Sequence, residues 1–161
     1  MKHFVGFFAL VLFGGALAAG CQGQKPIPVA SNTRELAGLA VSLELPKRQF
    51  VQGEQFNVVI TARNMTKRPI QIVAQSGAAV HVSIRRHNGL SWQEVKRYPQ
   101  AALMVMRPWT LDAGVERSFM MQLTVEPDWP TDEPLQITGQ LNGRFDPQPA
   151  VTIEVLGRAR P

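Results

Sequence analysis

The residues that could do covalent or metal chemistry are few and scattered. The chain holds one cysteine, Cys21, and three histidines, of which His81 and His87 stand six positions apart. Catalysis by a nucleophile needs an imidazole or equivalent base positioned beside it. Alternation in the sequence instead puts His81 on the wet face of a strand and His87 in a turn. No Gly-x-Ser-x-Gly elbow, His-Glu-x-x-His pair or phosphate-cradling glycine loop occurs. Zinc is held by clustered thiolates or imidazoles, and Asp128, Asp132 and Glu133 lack the spacing of a calcium loop. The expectation is a chain with no catalytic residue, no metal and no cofactor; a carboxylate pair assembled in space is the route to an enzyme left open. What remains is modification at Cys21 and binding at basic and aromatic side chains.

Cys21 sits at the end of Leu17-Ala18-Ala19-Gly20, after Met1-Lys2-His3 and an uncharged apolar run from Phe4 to Ala19. That layout is a secretory signal. The run is shorter than the roughly 20 apolar residues a bilayer span needs. With small residues leading directly into the cysteine, it resembles the bacterial lipobox, which implies cleavage after residue 20 and fatty acylation at Cys21. Ala18 stands where the lipobox usually has Leu, with Leu17 one position upstream. A single exported thiol cannot form an internal disulfide, and its modification explains its presence. Each buried methylene contributes about 0.8 kcal/mol, so two or more chains give a stable anchor. The expected location is the cell envelope, as a membrane-anchored lipoprotein. Gln22 resembles the pattern sent to the outer membrane in a Gram-negative cell, on its periplasmic face or at the cell surface.

The formal charge is +5, from 17 Lys and Arg against 12 Asp and Glu, and one of these lysines, Lys2, leaves with the signal. The cations come in pairs, Lys47-Arg48, Lys67-Arg68, Arg85-Arg86 and Lys96-Arg97, with acidic residues between them. Nucleic-acid binding would need them clustered on one element. The expected partners are therefore the membrane, through the anchor, and a protein, with a protease as one candidate; nucleic acid is excluded.

The elements that must carry these residues lie C-terminal to the cysteine. Residues 21–38, rich in Gln, Gly, Pro, Ser and Asn, read as a flexible tether. From Leu39 the apolar residues recur at every second position: Val41, Leu43, Leu45; then Phe56, Val58, Ile60, Ala62; then Val80, Val82, Ile84. Such alternation marks strands with one buried face. Further strands are expected at Ile70 to Ala74, around Trp92 and Val95, at Ala101 to Met106, at Phe119 to Val125, at Leu135 to Leu141 and at Val151 to Val155. Asn88-Gly89 supplies a hairpin turn. The prediction is an all-β antiparallel sandwich of about seven to nine strands over residues 39–157, with a tail at 158–161; barrel closure is the alternative.

The sequence resembles the BsuPI-type intracellular proteinase inhibitor family over about residues 40 to 156. The resemblance lies in the strand from Phe56 ending at Asn64, the Ser76-Gly77 break, the Val80 to Trp92 hairpin with Gly89, the Asp112-Ala113-Gly114 turn and the terminal strand pair with Gly139. It implies an immunoglobulin-like β-sandwich and a domain that works by binding. Ala113-Gly114 stands where that family carries Pro-Gly, and Ala79 and His81 where it carries an acidic residue. The lipobox also sets this chain apart from the intracellular members.

Two segments could enter a protease cleft: Met65 to Pro69, carrying Lys67 and Arg68, and Lys96 to Pro99, carrying Lys96 and Arg97. Arg68-Pro69 would resist cleavage. Inhibitory loops need bracing, and with one cysteine no disulfide can supply it. Trp109 and Trp129, each beside a proline, read equally as binding residues in loops or as core. Met104, Met106, Met120 and Met121 read as core before surface. Asn64-Met65-Thr66 matches the glycosylation pattern as an accident of a turn.

Overall fold

The computed structural model describes residues 30–100, 108–145 and 147–160. They form strands β1 (Ala30–Leu36), β2 (Leu39–Leu45), β3 (Gln49–Val51), β4 (Gln55–Asn64), β5 (Ile70–Val73), β6 (Val80–His87), β7 (Trp92–Tyr98), β8 (Pro108–Leu111), β9 (Glu116–Thr124), β10 (Pro134–Leu141) and β11 (Ala150–Arg158). One sheet has the order β1-β2-β4-β9, the other β3-β11-β10-β6-β7, and β5 pairs with β8 separately. All pairings are antiparallel except β3 with β11. The molecule is a β-sandwich, and among the described residues no helix is long and apolar enough to cross a membrane.

Period-two patterning explains the long strands. In β2 the residues Leu39, Val41, Leu43 and Leu45 are buried while those between them are half-exposed. Phe56, Val58, Ile60 and Ala62 of β4, Val82 and Ile84 of β6, and Leu135, Ile137, Ile153 and Val155 from the facing sheet join them in one core. At about 25 cal/mol per Å² of buried apolar surface, such residues drive the two sheets together. The sheets also pack closely at Gly139, where a Cβ would come within 3.0 Å of both Ile60 and Leu43. The sheets meet there because that position has no side chain.

Three short strands fall outside the alternation. Ala30–Leu36, assigned by composition to the tether, is strand β1, paired residue for residue with β2 from Ala30↔Leu45 to Leu36↔Leu39. An edge strand is held by its ladder as well as by side-chain burial, so five successive exposed polar residues can lie in it. Ala37 and Gly38, both at positive φ, close the hairpin. β3 and β8 are too short to show a period. The expected strand at Ala101 to Met106, with Met104 and Met106, lies outside the described residues, as does everything before Ala30.

Candidate functional site

At the end of the sandwich where β2 begins, three turns are tied together around one buried residue. Asn64 occupies an inward-facing position of β4 and is fully buried. Its Nδ2 donates to the carbonyls of Arg68 at 2.7 Å and Leu111 at 2.9 Å. Its Oδ1 accepts from the Thr66 amide at 2.8 Å and the Thr66 hydroxyl at 2.7 Å. The Thr66 hydroxyl and the Arg68 carbonyl also lie 2.8 Å apart. The backbone adds Met65 N–H to Gly38 O and Gly114 N–H to Asn64 O. The amide of Asn64 thus does what a buried polar group must, satisfying both its donors and its acceptor. The result fixes a loop, Met65 to Pro69, on which Lys67 and Arg68 are exposed. A second buried asparagine, Asn142, works alike nearby, donating to Ser76 Oγ and to the Ala78 carbonyl.

Lys96 and Arg97, read from sequence as loop residues, lie instead on β7. Lys96 Nζ is 2.6 Å from Glu126 and 2.9 Å from Asp128, and Arg97 pairs with Glu94 at 2.8 Å. Tyr98 donates its hydroxyl to the other oxygen of Glu126 at 2.5 Å, and Trp129 Nε1 reaches the same hydroxyl at 3.3 Å. The hydrogen bonds to Glu126 and Asp128 hold the Lys96 ammonium above the usual lysine range. Those from Lys96 and Tyr98 hold the Glu126 carboxyl below its ordinary value. Burial, then Glu126, pushes the Tyr98 phenol up to about 12. This cluster straps edge strand β7 to the segment after β9, so Lys96 is a structural cation.

Trp129 is 3% exposed and lies in the core, edge-on to Phe56. Trp109 lies on β8, half-buried against Phe119, with the Arg117 guanidinium 5.3 Å from its ring. Neither tryptophan is in an open loop: each supplies a large apolar ring to a neighbouring strand. Met120 is 73% exposed and Met121 packs against the core. Cys21 lies outside the described residues. His81 is half-buried, its pKa lowered by desolvation and by Arg97; His87 is exposed. Among the described residues no group of three His, Cys, Asp or Glu could hold a metal.

Of the sequence-derived interaction residues, only Lys67 and Arg68 stand exposed on one rigid loop. Their brace, Asn64, left one trace in the sequence: a polar residue in the buried phase of a long alternation.

No family model matches the chain, and no curated protein does. Among solved structures it is similar to Spo0M, the sporulation control protein of Bacillus subtilis, at 14% identity and a TM-score of 0.54, covering 78% of this chain. The chain spans about half of that protein, 51% of its length. It is also similar to a β-glucosidase from Listeria innocua, at 14% identity and TM-score 0.43 over 81% of this chain and 16% of the enzyme. A third similarity is to a CARDB domain from Pyrococcus furiosus, at 10% identity and TM-score 0.42 over 75% of this chain and 94% of the domain. At such identities the likeness to Spo0M shows the fold, a β-sandwich, and nothing of activity.

Proposed function

We propose that this chain is a non-catalytic binding module of the cell envelope, anchored by lipid at Cys21, that presents the Met65 to Pro69 loop to a protein partner. The observation that carries the reading is the direction of β1. It starts opposite Leu45 and ends opposite Leu39, which itself pairs with Asn64. With lipid at Cys21, the chain would enter the sandwich at the Leu45 end and run toward the Asn64 knot, which supports a reading in which Lys67 and Arg68 face away from the lipid. From Cys21 to Ala30 the chain can span at most roughly 30 Å, which keeps the body close to the bilayer and gives its far end access to the surroundings.

A photo-crosslinker at position 67 of the membrane-bound protein should yield a discrete protein adduct, absent when it is placed at Gln122 on the outer face of β9. Equal labelling from both positions, or full release of a Cys21→Ser protein and the unaltered one alike from membranes, would overturn the reading.

One observation favours a second reading, a membrane-tethered proteinase inhibitor. The loop bracing that disulfides often supply is here supplied by Asn64 and Thr66, with Pro69 following Arg68. A trypsin-like protease should then be inhibited at nanomolar concentration by the protein and not by Arg68→Ala. Cleavage of the loop, or an inhibition constant that Arg68→Ala leaves unchanged, refutes it.

A further inference from the structure

On the opposite half of the sandwich, two adjoining concavities share Pro134 and Glu154. One, of about 440 Å³, is walled by His87, Trp92, Glu133 and the shared pair. The other, of about 310 Å³, adds Arg48 and Gln49. Both are shallow and largely open to solvent, as a site for the polar end of a ligand would be. His87 stands edge-on to Trp92 with ring centroids 5.2 Å apart, which holds the half-buried indole in place. Neither the Glu133 nor the Glu154 carboxylate has an ion pair or hydrogen bond among the described residues. Arg48 donates one N–H to the Glu154 carbonyl at 3.3 Å, leaving the other donors of its guanidinium for an anion.

The chemistry is divided between the two depressions. An indole face with two carboxylates attracts an ammonium group, and a guanidinium fork suits a phosphate. We infer that this groove binds a phosphorylated alkylammonium compound, with the ammonium against Trp92, Glu133 and Glu154 and the phosphate at Arg48. The position fits a zwitterionic lipid headgroup. The β6–β7 hairpin lies at this end, since Arg86 pairs with Leu135 at the start of β10. Its tip carries Leu90, 94% exposed, where it can enter the acyl region beside a seated headgroup. β1 runs away from this end.

The inference does not rest on acylation of Cys21. Titration of the full chain in maltoside detergent with O-phosphoethanolamine should give saturable binding. Trp92→Ala and Glu154→Gln should each weaken it at least about fivefold, the scale of one cation–π contact. Arg48→Gln should weaken phosphoethanolamine and leave ethanolamine unchanged, and Glu35→Gln, on β1, should change nothing. The full chain carrying Cys21→Ser should also sediment with vesicles of phosphatidylethanolamine and phosphatidylglycerol more than with phosphatidylglycerol alone. Free-compound binding that shows these losses without vesicle preference assigns the groove to a soluble ligand of the same chemistry. Absence of saturable binding to both, or vesicle binding lost in Leu90→Asp yet unchanged in Glu154→Gln, overturns the site.

Discussion

Asn64 Oδ1 receives two hydrogen bonds from Thr66, one from its amide at 2.8 Å and one from its hydroxyl at 2.7 Å. The Asn64 Nδ2 meanwhile donates to two carbonyls from other parts of the chain, Arg68 and Leu111. This side chain stands where a disulfide would stand in many small braced loops, and its removal takes the donor from the buried Leu111 carbonyl and leaves the Arg68 carbonyl to the Thr66 hydroxyl.

Asn64→Ala should therefore cost on the order of 3 kcal/mol, since each orphaned buried group costs about 1–3 kcal/mol. Asn64→Asp should be as damaging, because a carboxylate cannot donate to Arg68 O or Leu111 O. Denaturant unfolding gives the global loss, and hydrogen exchange should show the Thr66 and Arg68 amides losing protection. Arg68→Ala, which keeps the backbone carbonyl, should change stability by less than about 0.5 kcal/mol.

Gly38 sits at φ +78 in the β1–β2 hairpin, and a Cβ there would overlap Thr66 Cγ2. Gly38→Ala combines a strained backbone with a clash against the knot and should destabilise by about 1–3 kcal/mol. Adding Thr66→Ser, which removes the obstructing methyl and keeps the hydroxyl, should recover part of the loss. Thermal melts of the single and double variants decide it; equal melting temperatures would show that the turn and the knot are independent.

The chain has one tyrosine, so its phenolate absorbance reports Tyr98 alone. Burial and the bond to Glu126 push this phenol up to about 12, above its ordinary 10.0. A raised folded value contributes stability in full below pH 10, and that contribution is lost as the pH rises toward 12. The titration midpoint should lie near 12 in the folded protein and fall in Glu126→Gln.

At the acid end the sign reverses. Lys96, then Tyr98, hold the Glu126 carboxyl below its ordinary 4.5. Its contribution is complete above that pH and is lost as the pH falls through the lowered folded value. The stability gap between the protein and Glu126→Gln should be constant from pH 5 to 8 and narrow below 4.5. A gap unchanged down to pH 3 would mean that the strap does not depend on charge.

Trp129→Ala should cost about 3–5 kcal/mol, as expected of a large aromatic removed from a filled core. Its ring lies 6.1 Å from Phe56, which in turn stacks on Phe50 at 4.0 Å. Denaturant midpoints measure this; a loss under about 1 kcal/mol would favour the binding role that the sequence left open for Trp129 equally with the core.

What the sequence determined by itself was everything that depends on a residue and its near neighbours. Alternation over Leu39–Leu45, Gln55–Asn64 and Val80–His87 established strands and an all-β class, because a period of two has one physical meaning at a half-buried sheet, while the choice of sandwich over barrel came from the separate sheets. Asn88-Gly89 announced its turn for an equally local reason. Only the tertiary structure decided which side chains are available. Lys67 and Lys96 are alike in sequence, each followed by arginine, yet Lys96 meets Glu126 and Asp128 thirty or more positions away, and Lys67 extends into solvent. Ala30–Leu36 is polar enough for a tether and becomes a strand because β2 offers it a ladder. Asn64 acts as a brace only because Leu111 and Val115 are brought to it, and Gly38 to its neighbour Met65. Partners distant in the chain leave no spacing to read, so the loop's rigidity and the groove of Trp92, Glu133 and Glu154 appear only once the sheets are packed.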